Sequence, residues 1–289
     1  MRSSRPKGLL YTFLCGLLWS TAGVLIKLLP WHALAIAGLR SGLCAIFLYA
    51  AMVVLQKRVR ILVNRQTMLT AFFLGITMLL FCSANKMTTA ANAIVLQSTS
   101  TVFILLYGIT VLRQKPLRRD LVTTVCVFAG IVLFFVDELS PRGLFGNLVA
   151  LGSAVTFAGV FLTSTEAASE HAAISGLILG QVVTAVVGIP FCFLTPMPVT
   201  PIRIGAILWL GFFQLGLAYT LFTYGSQLCS PLAMALVAMV EPVFSPIWVA
   251  LFSREIPGPS ALLGAALVLI SLTVWSILNA RQKTAVPQS

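Results

Sequence analysis

The chain has 289 residues, of which 59% are hydrophobic and 9% are charged, and its formal net charge is +12. Soluble domains carry about a quarter charged residues, so this composition excludes an ordinary soluble fold. It predicts an integral membrane protein.

Ten apolar stretches follow one another along the chain, separated by short breaks. Stretches of roughly 20 residues, at about 1.5 Å per residue, can cross a ~30 Å hydrocarbon core as helices. Their approximate bounds are 8–28, 33–55, 68–85, 89–112, 121–136, 144–165, 172–194, 204–226, 231–252 and 260–278. The sequence therefore predicts an all-α integral membrane protein with ten transmembrane helices. The first stretch is long and lacks a small-residue cleavage site, so we expect a retained helix and not a secretory signal.

The basic residues predict the orientation of these helices. With the N-terminus in the cytoplasm, 13 lysines and arginines fall on the cytoplasmic side and five on the outer side. This bias follows the positive-inside rule and places both termini in the cytoplasm, in a bacterial inner (plasma) membrane. Because the charges act as topology anchors, they give no reason to expect a nucleic-acid partner.

Motifs for catalysis or cofactor binding do not occur in the sequence. The six cysteines lie in apolar stretches without CxxC spacing, which favours packing residues over a disulfide or a metal site. The two histidines, His32 and His171, are predicted on opposite faces of the membrane, so they cannot share an active site. We expect no enzyme activity, no metal and no cofactor.

A faint internal repeat divides the chain into two halves. Four sets of apolar and glycine residues match in order at displacements of 136, 138 and 141 residues, including Gly16 with Gly152 and Gly75 with Gly216. We predict a first repeat over 1–137, a second over 138–280 and a cytoplasmic tail over 281–289. Five helices per half force the second half to be inverted in the membrane, an architecture typical of secondary transporters.

Longer motifs give the chain a family resemblance. They are "LLWSTAGVLIK" at 17–27, "NAIVLQSTSTVF" at 92–103, "EPVFSPIWVALFSREIP" at 241–257 and "LLGAALVLIS" at 262–271. These motifs resemble the EamA-domain branch of the drug/metabolite transporter superfamily. The resemblance implies a ten-helix carrier with two repeats and cytoplasmic termini that moves small metabolites or drugs, often outward. Thr101 and Gln114 stand where the family usually has a proline and a glutamate.

Glu241 is the strongest candidate for a functional residue. It lies near the middle of its predicted helix, where a charged side chain costs about 3 kcal/mol on insertion scales. Pro242 and Pro246 follow it and each removes a backbone amide, so we predict a broken helix that lines a central cavity. The alternative is a glutamate held in a permanent salt bridge or hydrogen bond.

Further candidates lie on the repeat-related helix and on the second helix. Ser100 is the repeat mate of Glu241, Gln97 extends its polar stripe, and Tyr107 and Trp248 stand two turns beyond on the two related helices. They predict a substrate pocket with a few polar groups, although aromatic side chains at this spacing also fit core or lipid-facing positions.

Arg40 lies about 10 Å inside the membrane from the end of its predicted helix, at 1.5 Å per residue. Its side chain either extends to the surface, pairs with Glu241 or holds a substrate carboxylate. Ser20, Thr156, Trp19 and Gln214 are weaker candidates, with helix packing as the alternative.

Together these patterns predict a secondary transporter of small molecules in the lipid bilayer. We expect an amino-acid or metabolite exporter that works by alternating access and is proton-coupled through Glu241. Broad-specificity drug efflux and metabolite uptake are the alternatives, and a channel or a non-transporting protein fits less well because there is one central acid. The sequence does not indicate an oligomeric state.

Overall fold

The computed structural model describes residues 5–111, 141–238 and 240–252, together with scattered residues between 113 and 133 and between 259 and 278. Its helices are α1 (Arg5–Trp19), α2 (Ala22–Leu28), α3 (Ala33–Gln56), α4 (Arg65–Met87), α5 (Ala90–Ser98), α6 (Ser100–Thr110), α7 (Pro141–Thr165), α8 (Glu170–Gly188), α9 (Phe191–Leu194), α10 (Pro201–Trp209), a π-helix (Leu210–Leu217), α11 (Ala218–Leu228), α12 (Pro231–Val237) and α13 (Val240–Phe252). No strand occurs among the described residues.

Seven helical segments of the described chain are long and apolar enough to cross a membrane: 6–28, 33–56, 65–87, 90–110, 143–165, 170–194 and 201–228. They match the predicted helices one to four and six to eight. The predicted ninth helix is present as two shorter helices, α12 and α13. Of the fifth and tenth, the structure describes only scattered residues, and most of the fifth lies outside them. The chain is thus an all-helical, multi-pass membrane protein.

Local sequence sets where several of these helices begin. The Asn64 side-chain oxygen accepts a hydrogen bond from the Thr67 amide at 2.9 Å. In return, the Asn64 amide donates to the Thr67 hydroxyl at 2.9 Å, and the two bonds form a capping box at the start of α4. Thr200 and Pro201 start α10 in the same way, with a side-chain cap and a proline in the first turn. These two spans therefore begin at defined side-chain caps.

The two halves of the chain pack mainly against each other. Helix α4 packs most extensively on α7 and α8, α3 packs on α8, and α1 packs on α11. Under the predicted repeat, the pair α4 with α7 corresponds to the pair formed by α11 and α1. Two glycines bring α3 and α8 into backbone contact, because a Cβ on Gly188 would lie 2.4 Å from the Leu34 carbonyl oxygen.

Three spans are interrupted near their middle. The first changes from α1 to α2 at Ser20 and Thr21, the fourth changes from α5 to α6 at Thr99, and the ninth divides between Val237 and Val240. The positions in the fourth and ninth spans are related by the repeat. Thr99 makes its break without a proline, since its hydroxyl and amide both donate to the Leu96 carbonyl at 2.6 and 3.2 Å.

The interruption in the ninth span precedes its prolines. Helix α13 runs on through Pro242 and Pro246, and the Glu241 amide donates to the Ala238 carbonyl at 2.9 Å. Pro242 lies in the first turn of α13, where a missing amide hydrogen leaves no helical bond unmade. The carbonyl of Ala238, whose usual helical donor would be the amide that Pro242 lacks, is therefore paired.

Candidate functional site

Two small adjoining cavities lie where the interrupted helices meet, and we call them together the central site. Gln97, Phe157 and Glu241 line both of them. Ser100 and Phe161 help to complete the first, and Trp19, Arg40, Met78, Phe81, Gln214 and Tyr219 help to complete the second. Each leaves about 20 Å³ for the centre of a water molecule. This is room for water but not for a metabolite.

Glu241 is positioned by the start of α13. Its side chain is 8% exposed and stands in the first turn of the helix, where the positive end of the helix dipole favours a carboxylate. Among the described residues we find no hydrogen bond or ion pair to its carboxylate. The interpretation of Glu241 as one half of a permanent pair therefore has no support in this part of the chain.

Arg40 is fully buried, so its guanidinium does not extend to the surface. One of its nitrogens, Nη2, contacts the Met78 sulfur at 3.4 Å, and its Cζ lies 5.7 Å from the centre of the Phe81 ring. Its Nε and Nη1 have no hydrogen-bond partner. A buried guanidinium with two unpaired N–H groups at a cavity is suited to bind an anion.

Amides and hydroxyls supply the remaining polar atoms of the central site. Gln97 donates to the Ser153 hydroxyl at 3.3 Å, and Ser100 lines the cavity from the start of α6. Gln214 lies in the π-helix and its Oε1 has no partner. Short π-helical segments occur often at functional sites, because they turn one side chain out of the regular helical register.

Two of the predicted site residues lie elsewhere. Trp248 lines a separate groove, where its indole N–H donates to the Ser20 hydroxyl at 3.0 Å. Tyr107 is half-buried and is not among the described residues that line the cavities. Both positions are two turns from the helix breaks, so they stand about 10 Å from the central site along their helices.

Apart from Trp19, the aromatic and sulfur-containing residues of the central site did not stand out in the sequence. Trp19 packs edge-on against Phe157 and Tyr219, each with 5.4 Å between ring centres, and these rings form one wall. Met78 and Tyr219 both line the second cavity and are related by the displacement of 141 residues. The internal repeat could therefore have pointed to both residues in the sequence.

Opposite charges thus face one small cavity with an aromatic wall. The nitrogens of Arg40 are either unpaired or directed at Met78, so the arginine is not bonded to Glu241. A ligand with a carboxylate and an amine could satisfy both charges at once, and the rings could cover its apolar part.

Comparison with known proteins identifies the family. The profile of the EamA-like transporter family matches residues 6–136 and 144–277, which is most of the chain. The chain belongs to this family. EamA proteins are part of the drug/metabolite transporter superfamily, as the sequence motifs indicated, and the family is one of transporters, not of enzymes.

Two curated relatives agree with this assignment. The uncharacterized transporter YwfM of Bacillus subtilis is 29% identical over 178 residues, which are 61% of this chain and 60% of YwfM. An uncharacterized transporter of Archaeoglobus fulgidus is 23% identical over 194 residues, 64% of this chain and 66% of that protein. The chain thus spans less than two thirds of the length of these curated relatives.

A protein of known crystal structure has the same fold. It superposes with a TM-score of 0.70 over 96% of this chain and 99% of its own, at 19% identity. The EamA chain therefore has a fold already observed in a crystal.

Proposed function

We propose that this EamA protein is a secondary transporter that exports amino acids with apolar side chains by alternating access. One observation carries the proposal: Arg40 and Glu241 line the same buried cavity and are not bonded to each other. A charged group away from water is costly unless it is paired, so two unpaired opposite charges are best explained by a ligand that carries both complements.

The chemistry of the ligand follows from the two charges and the wall. An α-carboxylate would accept from Nε and Nη1 of Arg40, and an α-ammonium would donate to Glu241 with Gln97 and Ser100 nearby. The rings of Trp19, Phe157 and Tyr219 favour an apolar side chain over a polar one.

The helix breaks support a cycle in which the central site opens. Its present cavities hold only water, so a molecule the size of leucine must enter another conformation. The family profile matches the chain twice, and the packing of α4 on α7 corresponds to the packing of α11 on α1. Both observations support two inverted repeats, over 1–137 and 138–280. We propose that residues 281–289 form a tail. In such carriers the halves rock around a fixed site.

The bias of basic residues supports an orientation with both termini in the cytoplasm of a bacterial inner membrane. We further propose that Glu241 exchanges a proton for the substrate amine, because both bind to the same carboxylate. The remaining ionisable groups described around it are Arg40, Tyr219 and Cys15. Glu241 is the one acidic residue among the described residues that line the central site, so a proton and the substrate amine would compete for its carboxylate.

Competition in reconstituted vesicles tests the substrate class. Proteoliposomes loaded with unlabelled L-leucine should accumulate external radiolabelled L-leucine by exchange, at a rate at least about tenfold above protein-free vesicles. Leucinamide lacks the carboxylate and 4-methylpentanoate lacks the amine, so each should compete about 30-fold less well than leucine, since a charged hydrogen bond contributes about 2 kcal/mol.

The competitors also separate the alternatives. If leucinamide competes as well as leucine, the site recognises a cation and Arg40 does not bind substrate. Exchange that does not saturate with leucine would indicate a channel. A wild-type protein that is inserted and folded but exchanges no neutral amino acid would refute the proposed substrate class.

A further inference from the structure

A groove of about 870 Å³ lies beside the central site, between α2, α10 and α13, and we call it the lateral groove. Its walls include Thr21, Leu25, Ile202, Gly205, Trp209 and Trp248. Ligand pockets in proteins usually measure about 300 to 1,000 Å³. The lateral groove has the size of a ligand site, whereas the central site in this conformation does not.

Apart from Lys27, whose ammonium donates to the Thr88 carbonyl at 3.0 Å, the walls of the lateral groove suit an apolar group. The indole N–H of Trp209 donates to the Thr21 hydroxyl at 3.3 Å, and that of Trp248 donates to the Ser20 hydroxyl at 3.0 Å. Since the polar edges of both indoles are already paired within the protein, their rings offer mainly apolar surface. Val24 and Leu25 of α2 add aliphatic surface between them.

One face of α13 connects the lateral groove to the central site. Glu241, Ser245 and Trp248 are spaced four and three residues apart, so they share that face. Glu241 lines the central site and Trp248 lines the groove. Between them, Ser245 is fully buried and its hydroxyl has no hydrogen-bond partner. Ser245 lines neither cavity, and its hydroxyl is a buried polar atom between them that the described residues leave without a partner.

The repeat relates the lateral groove to a second contact between helices, at the other end of the bundle. We call this contact the seam, and its described residues are closely packed. Val160 and Thr163 are the mates of Val24 and Lys27, and both are buried. Gln66 donates to the Thr163 carbonyl across this seam at 2.8 Å. A Cβ on Gly159 would lie 2.5 Å from the Phe73 ring. Among the described residues, this seam shows no groove that matches the lateral groove.

We propose that the lateral groove is a second substrate site, which holds the apolar side chain of the transported amino acid against Trp248 next to the central site. This inference rests on the proposed function, because the occupant is the transported molecule. It adds a binding step between the central site and the membrane face where α2 ends.

Alkylation of an introduced cysteine tests the lateral groove directly. The variant Gly205→Cys should fold, since its side chain meets open space. In proteoliposomes, N-ethylmaleimide should modify residue 205, and saturating L-leucine should slow that modification at least threefold, as read by mass spectrometry of the peptide. A Val199→Cys variant is the control, because Val199 is 63% exposed and does not line the groove. Leucine should not change its rate.

A second substitution tests whether Trp248 contributes to the protection of residue 205 by leucine. In the Gly205→Cys background, Trp248→Ala should raise the leucine concentration that gives half protection about tenfold, since a buried indole contributes contact over a large area. Phe193→Ala removes an aromatic side chain that is 85% exposed and should leave that concentration unchanged.

The possible outcomes distinguish a failure of the groove site from a failure of the proposed function. Leucine exchange without protection of residue 205 overturns the groove site alone, and protection without exchange supports the groove site but refutes the transport proposal. A cysteine at 205 that does not react without leucine also overturns the groove site, because a substrate site must admit water. Quenching of tryptophan fluorescence by lipids with brominated chains, unchanged by leucine, would show a lipid as the occupant.

Discussion

Leucine exchange by the Glu241→Gln variant is expected to be about 30 to 150 times slower than exchange by the wild type. Glutamine keeps the size of the side chain and loses its charge, so the substrate ammonium loses a charge-assisted hydrogen bond in a site largely closed to water. Such a bond contributes about 2 to 3 kcal/mol, which corresponds to that range of rates. The measurement is exchange of radiolabelled leucine in proteoliposomes with matched protein content.

The pH profile of the same variant distinguishes a binding role from a structural one. Exchange by the wild type should slow as the pH falls, because protonation of Glu241 removes the charge that binds the amine. Exchange by Glu241→Gln should be nearly independent of pH. Glu170→Gln, which changes a glutamate at the start of α8 outside the central site, should match the wild type in rate and profile. A Glu241→Gln variant with wild-type rate and profile would rule out any role in binding.

Substitution of Gly188 by valine is expected to destabilise the fold strongly. A Cβ at this position would lie 2.4 Å from the Leu34 carbonyl oxygen and 2.6 Å from the Gly38 Cα, and both are backbone atoms that cannot turn aside. Helices α3 and α8 would have to separate along their contact. Overpacking costs about 3 kcal/mol or more where backbone must move, or roughly 10 °C in melting temperature.

Size-exclusion profiles and thermal melts of detergent-solubilised protein measure this effect. The matched control is Gly42→Ala at the same helix contact, where the nearest atoms to a new Cβ are side-chain carbons at 3.7 and 3.8 Å. That variant should elute and melt as the wild type does. If Gly188→Val also behaves as the wild type, α3 and α8 do not approach as closely as described.

The sequence allowed the spans to be predicted because length and hydropathy decide them locally. The turn between the eighth and ninth spans was expected at 225–231, and α11 ends at Leu228 before α12 begins at Pro231. The break at Thr99 could not be predicted, since threonine usually continues a helix and a local hydrogen bond to Leu96 decides otherwise. The prolines suggested a break at their own position, whereas the helix divides just before them.

The grouping of the candidate site residues depended on tertiary packing. Arg40 and Glu241 are 201 positions apart, and their common cavity arises from the way α3 and α13 face the central helices. Trp248 was expected to line the same pocket as Glu241, because it stands two turns beyond it on one helical face. A helix also advances about 10 Å in seven residues, and this distance puts the tryptophan in a different cavity.

The two charges of the central site come from different halves of the chain. Arg40 belongs to the first half and has Ile178 as its mate, while Glu241 belongs to the second and has Ser100 as its mate. An assembly of two copies of the first half would bring together two arginines and no acid, and two copies of the second would bring together two acids and no base. A cavity with one charge of each sign therefore requires two halves that have diverged from each other and are joined in one polypeptide.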